Sequence, residues 1–329
     1  MFDYSANLGS PVSVLSADMR IVIAGGTGFL GRPLAEGYAE EGHDVRVLTR
    51  GLPPGESRHE SGTGVPGVTS VGWMPDGQSG PWAPVLDGAE ALVNLAGESI
   101  AGKRWSPKRK AALRDSRIVP TRSLVAALAA SSTPPPVFIS GSGTGYYGAA
   151  GSEIKTEESP AGHDFIARLS EDWEAEARKA ERAGIRVVVV RTGVALERSG
   201  GALAKMITPF RFFVGGPMGS GRQYMPWIHR IDWIEMIRWI VLTPGVTGPI
   251  NATAPEPVTN RQFARALGRA LGRPSAIPAP GFALRAIVGE MATPLLLEGQ
   301  RVVPAKAQKL NFHFRYPEIN QAFRGIFGE

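Results

Sequence analysis

Residues 20–31 read RIVIAGGTGFLG, a short apolar run that breaks into glycines. The segment that follows, Phe29–Glu41, carries apolar side chains at helical spacing and stops at Gly42. A second apolar run, Asp44–Thr49, comes directly after it. Strand, glycine turn, helix and strand in that order form a right-handed βαβ unit. Gly25, Gly28 and Gly31 each have a separate task there: a tight turn, room for a pyrophosphate, and close helix–strand packing. The N–H groups of the new helix add a favourable dipole for phosphate. Gly26, Gly28 and Gly31 also fit the shorter G-x-G-x-x-G register. The reading is a dinucleotide site built by GGTGFLG, with Gly25, Thr27, Gly28, Phe29, Leu30 and Gly31 around the cofactor.

The rest of the chain continues that rhythm. Strands are expected at 68–73, 91–95, 137–140 and 185–190. Ser106 and Pro107 are an N-cap and N1 pair opening a helix to about Ala130. A second long helix is expected over 165–183. Residues 51–66 are polar and rich in Gly and Pro, hence a loop. The fold class is therefore α/β, a Rossmann doubly wound parallel sheet with a smaller C-terminal substrate lobe. The Rossmann domain is placed at 19–195 with a returning segment near 229–253. The lobe takes 196–228 and 254–329, and residues 1–18 are a flexible extension.

Composition removes several classes of function. The chain of 329 residues has no cysteine, which excludes thiolate catalysis and cysteine-bound zinc. A reducing, cytoplasmic location fits that absence. His43, His59, His163, His229 and His313 show no metal spacing. No apolar run reaches membrane-spanning length, so no membrane partner is expected. The net charge of +6 comes with no nucleic-acid-binding motif. A small-molecule substrate and a monomer or homodimer are expected.

Cofactor choice turns on the end of the second strand, which reads Leu48-Thr49-Arg50. An NAD enzyme places a carboxylate there for the ribose 2′-hydroxyl. Asp44 stands at the opposite end of the strand, so Thr49 and Arg50 point to the 2′-phosphate of NADP(H).

The combined motifs resemble the extended short-chain dehydrogenase/reductases, in the atypical epimerase-family branch with a C-terminal domain of unknown function. The matching residues are GGTGFLG (25–31), NLAGESI (94–100), KRWSPKRKAALRDSRI (103–118), SGSGTGYYG (140–148), RTGVAL (191–196) and WIHRID (227–232). The resemblance implies a Rossmann core, NADP(H), and oxidoreductase or epimerase chemistry. It places Asn94, Ala96 and Gly97 along the cofactor and Arg117 near the family's active-site asparagine, while Ser140 ends the fifth strand, where ligands of α/β sheets lie. Ser142 matches the substrate-binding serine after one inserted residue.

The family's proton-transfer pair is Tyr-x-x-x-Lys, and no tyrosine here has lysine four residues later. Phe165 and Leu169 stand at the expected positions. An alternative acid is required, and Tyr147, Glu98 and His229 are the candidates, Tyr147 leading. Glu98, Arg104, Trp105 and His229 are expected at the substrate. Two functions remain open on this reading: an enzyme with a substituted acid, or a catalytically degenerate NADPH-binding regulator.

Overall fold

A computed structural model describes residues 19–59 and 67–328. The extension expected over residues 1–18 lies outside the described residues. Strands β1 (Arg20–Ala24), β2 (Asp44–Thr49), β3 (Ser57–His59), β4 (Val68–Gly72), β5 (Ala91–Asn94) and β6 (Val137–Gly143) form most of the main sheet. A short β7 (Ile154–Lys155) precedes β8 (Arg186–Thr192) and β9 (Val194–Leu196). The chain then adds β10 (Tyr224–Met225), β11 (Trp227–His229), β12 (Gly248–Ala252), β13 (Val258–Thr259) and β14 (Arg301–Val302). The main sheet has the order β12-β8-β6-β5-β1-β2-β4-β3. All its pairs are parallel except β3 with β4. This is the Rossmann arrangement read from the sequence.

Helices α1 (Gly31–Glu40), α2 (Pro107–Ala130) and α3 (Phe165–Arg178) supply the crossovers, and α5 (Arg230–Leu242) leads into β12. One apolar layer joins Val22, Leu92, Phe138 and Val189 to Leu124 and Ala177 on α2 and α3. The other joins Ile21, Val93, Ile139 and Val188 to Leu34 on α1 and Trp233 on α5. Successive side chains point to opposite faces, so each strand feeds both layers in turn and the central strands are buried almost without a break.

The lobe is built by α4 (Gly201–Arg211), α6 (Asn260–Ala270), α7 (Gly281–Val288) and α9 (Ile319–Phe327), whereas α8 (Ala305–Lys309), expected in the lobe, packs on the main-sheet core beside β12 through Ala307. A separate core in the lobe gathers Leu203, Phe210, Trp227, Phe263 and Phe323.

Two local features differ from the sequence expectation. β6 runs on to Gly143, because Ser140–Gly143 keep pairing with Val189–Thr192 of β8. The loop over 51–66 contains β3, whose Ser57, Arg58 and His59 are all exposed and carry no apolar alternation to announce a strand.

Candidate functional site

The glycine turn has the constraints expected of it. Gly25 has φ +82, and a Cβ on Gly31 would lie 2.3 Å from the Gly25 carbonyl oxygen. Leu30, at the N-cap of α1, makes no side-chain capping bond. Gly28 and Thr27 are exposed, and Gly28 has no neighbour but the Gly25 carbonyl near the place of a Cβ. The turn therefore leaves open space at an uncapped helix N-terminus, which fits a pyrophosphate.

A cleft of about 700 Å³ runs from this turn along the C-terminal ends of the strands. Gly25, Thr27 and Gly28 line it, with Thr49 and Arg50 from the end of β2. Ala96, Gly97 and Glu98 line it from the end of β5. Leu48, Trp73, Pro75 and Val119 make an apolar section beside Arg50. Arg50 is exposed, and among the described residues its guanidinium has no hydrogen-bond partner. A second depression, about 510 Å³, lies around His43, Asp44 and Glu90 at the opposite edge of the sheet. Ligands of open α/β sheets bind at the carboxyl ends of strands, so the cleft at the glycine turn is the candidate site.

Phe29 packs at the lobe end of the turn, where a Cβ on Gly200 or Gly201 would touch its ring at 2.8 Å. Asn94 and Ser140 are fully buried beneath the cleft floor. Asn94 donates to Thr121 Oγ1 at 2.8 Å and accepts from the Ala96 N–H, which fixes the turn after β5. Arg117 is buried under Gly97 and stacks on Trp173. It donates to the carbonyls of Leu113 and Glu98. Burial, with Arg109 nearby, pushes its pKa down to about 10. Glu98 pairs with Arg109, and that bond holds its carboxyl below the usual range.

Of the residues expected at the substrate, Arg104 and Trp105 stand just before α2, near the start of α3 and near α7. Trp105 meets Phe165 edge-on at 5.2 Å. The Lys110 ammonium lies 5.2 Å from the Phe165 ring centre and bonds Glu290 at 2.5 Å. Arg104 donates to the Ala286 carbonyl on α7. Within residues 103–118 the sequence does not distinguish Lys110 from its neighbouring cations, because α2 spacing alone does not show which of them reaches α3.

Ser142, Tyr147 and His229 lie in other surroundings. Ser142 gives its hydroxyl proton to Glu174 Oε1 at 2.8 Å. Arg191 binds the same carboxylate through Nε and Nη2, both at 2.8 Å. The Tyr147 phenol accepts from Arg191 Nη1 and donates to Asn251 Oδ1. Burial pushes its pKa up to about 12. All these side chains are buried, and they tie β6, β8, β12 and α3 together. His229 caps α5 by accepting from the Ile231 N–H and stacks on Tyr316 at 4.0 Å. Burial pushes its pKa down to about 4, so the ring is neutral. No group of side chains among the described residues could hold a metal ion. No helix among them is long and apolar enough to cross a membrane.

Sequence comparison places this geometry in a family. The signature of the NAD dependent epimerase/dehydratase family matches residues 21–251. The chain belongs to that family. Residues 279–326 match a domain of unknown function, DUF1731. The chain is 38% identical over 312 residues to the Epimerase family protein SDR39U1 homolog, chloroplastic, of Arabidopsis thaliana, covering 94% of this chain and 87% of the relative. It is 38% identical over 308 residues to Epimerase family protein Mb2239 of Mycobacterium bovis, covering 93% and 97%. The crystal structure of human epimerase family protein SDR39U1 with NADPH aligns with TM-score 0.82 at 34% identity. That alignment covers 94% of this chain and all of the human one (100%).

Proposed function

We propose that the protein is an NADPH-dependent oxidoreductase or epimerase-type enzyme acting on a small anionic substrate. The observation that carries the cofactor is the end of β2, where Arg50 faces the cleft without a hydrogen-bond partner and no carboxylate follows Leu48. A guanidinium there suits a 2′-phosphate and a carboxylate would repel it. The human relative solved with NADPH supports the same choice. Gly25, Thr27, Gly28 and the first N–H groups of α1 would hold the pyrophosphate. Thr49 and Arg50 would take the 2′-phosphate, and Leu48, Trp73, Pro75 and Val119 the adenine.

Bound NADPH supplies a hydride. Reduction of a carbonyl then needs one proton delivered to oxygen. Lys110 is the proton source we assign, because its ammonium stands beside Phe165, where the resemblance places the missing tyrosine. Tyr147 is a poorer source, since its hydroxyl is already engaged and its pKa is raised. Ser142 spends its proton on Glu174, so towards a ligand its oxygen can only accept. Lys103, Arg104 and Lys108, all exposed at and just before the start of α2, favour an anionic substrate.

Calorimetric titration with NADPH and NADH tests the cofactor. NADPH binds more tightly, and Arg50→Ala removes about tenfold or more of the difference, since a charged hydrogen bond contributes roughly 1.5–3 kcal/mol. Equal affinity for the two cofactors in the unmodified protein refutes the assignment. A carbonyl-compound screen following NADPH absorbance tests the chemistry. Lys110→Gln lowers kcat about 10²–10⁴-fold with NADPH affinity unchanged. The engaged phenol of Tyr147 favours a second reading, an NADPH-binding regulator. Tight NADPH binding with no oxidation across the screen selects it.

A further inference from the structure

Two segments of the lobe contain no acidic residue at all, residues 198–231 and 257–289. At the chain's own frequency, with 30 Asp and Glu among 329 residues, stretches of that length would be expected to hold several. Both segments carry cations instead. Arg261, Arg265, Arg269 and Arg273 recur every fourth residue, and all four are exposed. On α6 that spacing puts Arg261, Arg265 and Arg269 in one row along the outer face. Arg211 and Arg285 are exposed as well. Among the described residues none of these six arginines is paired with a carboxylate.

The same two segments hold most of the large apolar side chains that the described residues leave exposed. Phe212 is 73% exposed, Phe282 76% and Ile287 70%, with Phe213, Val214 and Ile277 each above half. Helix α7 has no buried residue, although its sequence is GFALRAIV. The two segments lie side by side: Met218 bridges Ala279, and a Cβ on Gly216 would strike the Ile277 carbonyl. Arg273, three residues past the end of α6, lies over the Phe213 ring at 4.7 Å. Phe213 has φ 61, an uncommon conformation for a bulky side chain.

Exposed apolar side chains clustered on one face mark a contact surface. From this coincidence of exposed apolar tips with an acid-free cationic rim, we infer that the face docks on a bilayer surface containing anionic lipid. Arginines bind the lipid phosphates while Phe and Ile tips enter the acyl boundary. A second copy of the chain does not fit, because a two-fold contact would set like charges against each other. Nucleic acid fits less well, because half of the exposed tips, Val214, Ile277 and Ile287, are aliphatic and gain nothing from stacked bases, whereas an acyl boundary takes them together with Phe212, Phe213 and Phe282.

The test is co-sedimentation of the full chain with vesicles of phosphatidylcholine alone and of phosphatidylcholine mixed with phosphatidylglycerol. The expected result is binding to the mixed vesicles about 10²-fold or more tighter than to neutral ones, weakening as salt is raised. The double variant Phe282→Ser, Ile287→Ser lowers that binding about tenfold or more. Its melting temperature and NADPH affinity stay unchanged, because both positions are largely exposed and outside the cleft. Absence of binding to the mixed vesicles overturns the inference. Undiminished binding by the double variant overturns it too, because attraction is then only electrostatic. Tighter binding to a duplex DNA oligonucleotide or to polyglutamate than to the mixed vesicles replaces the lipid with that class of partner.

Discussion

Replacing Glu174 by Gln tests how the sheet edge beneath the site is held. The Glu174 and Arg191 side chains are only 3% and 2% exposed. Glu174 accepts two hydrogen bonds from Arg191 and one from Ser142, each at 2.8 Å. Gln keeps the shape but removes the charge and can accept through one oxygen only. Arg191 is then left as a buried cation without its counter-charge, which costs roughly 3–5 kcal/mol. The Tyr147 hydroxyl and the Glu157 carbonyl still accept from Arg191 Nη1, so the lower half of that range applies, about 3 kcal/mol. With an unfolding entropy of roughly 2.1 cal/mol/K per residue over 329 residues, each kcal/mol is about 1.5 °C, so the melting temperature falls by roughly 4–5 °C. Urea unfolding of the two proteins at neutral pH measures the difference directly. A loss below about 1 kcal/mol would falsify the argument, since that is the range of an exposed pair. Replacing both partners, Arg191→Met with Glu174→Leu, should recover much of the loss, because the desolvation penalty of both charges disappears.

Gly31→Ala abolishes measurable NADPH binding or folding, because its Cβ would lie 2.3 Å from the Gly25 carbonyl oxygen; a circular dichroism spectrum and a cofactor titration distinguish the two losses. Tyr147→Phe leaves Arg191 Nη1 and Asn251 Oδ1 each short of a partner and costs about 1–3 kcal/mol in unfolding free energy, with NADPH affinity unchanged. His229 and Asp232 give opposite pH dependences. Burial lowers the His229 pKa from 6.5 to about 4, so its contribution is present above pH 6.5 and is lost as pH falls towards 4. Burial raises the Asp232 pKa from 3.8 to about 6, so its contribution is full below 3.8 and is lost as pH rises through 6. Between pH 7 and 5 each changes stability by about 1–2 kcal/mol, in opposite directions. In urea unfolding at the two pH values, His229→Gln therefore becomes more stable at pH 5 and Asp232→Asn less stable; a common direction for both variants rejects the assignment.

The parts of this structure legible in the sequence are those set by local rules. Glycine turn, apolar runs and the Ser106-Pro107 helix start act within a few residues, and each leaves a mark in the chain. Ser106 does cap α2, accepting from the Arg109 N–H. β3 leaves no such mark, because its side chains face water and only pairing with β4 defines it. Ser142 and Tyr147 stand out in the sequence as hydroxyls near a strand end. Their partners Glu174, Arg191 and Asn251 come from three other elements, and no periodicity links them.

The same distinction explains why the cofactor is easier to read than the chemistry. A pyrophosphate is held by backbone geometry, and backbone geometry is written in glycines. A proton donor is one side chain delivered to a point in space, often from a distant element. On the proposed reading Phe165, at the start of α3, stands where the usual donor is expected. Lys110 on α2 reaches the same place only because the two helices start together at the carboxyl edge of the sheet. Glu290, at the end of the acid-free run, then fixes that ammonium from the lobe. The position of Lys110 therefore depends on the lobe as well as on the Rossmann core. Glu290→Gln should lower kcat for a carbonyl substrate with NADPH affinity little changed, since it releases Lys110 without touching the cleft. An equal loss in both would mean that the lobe acts on the cofactor instead.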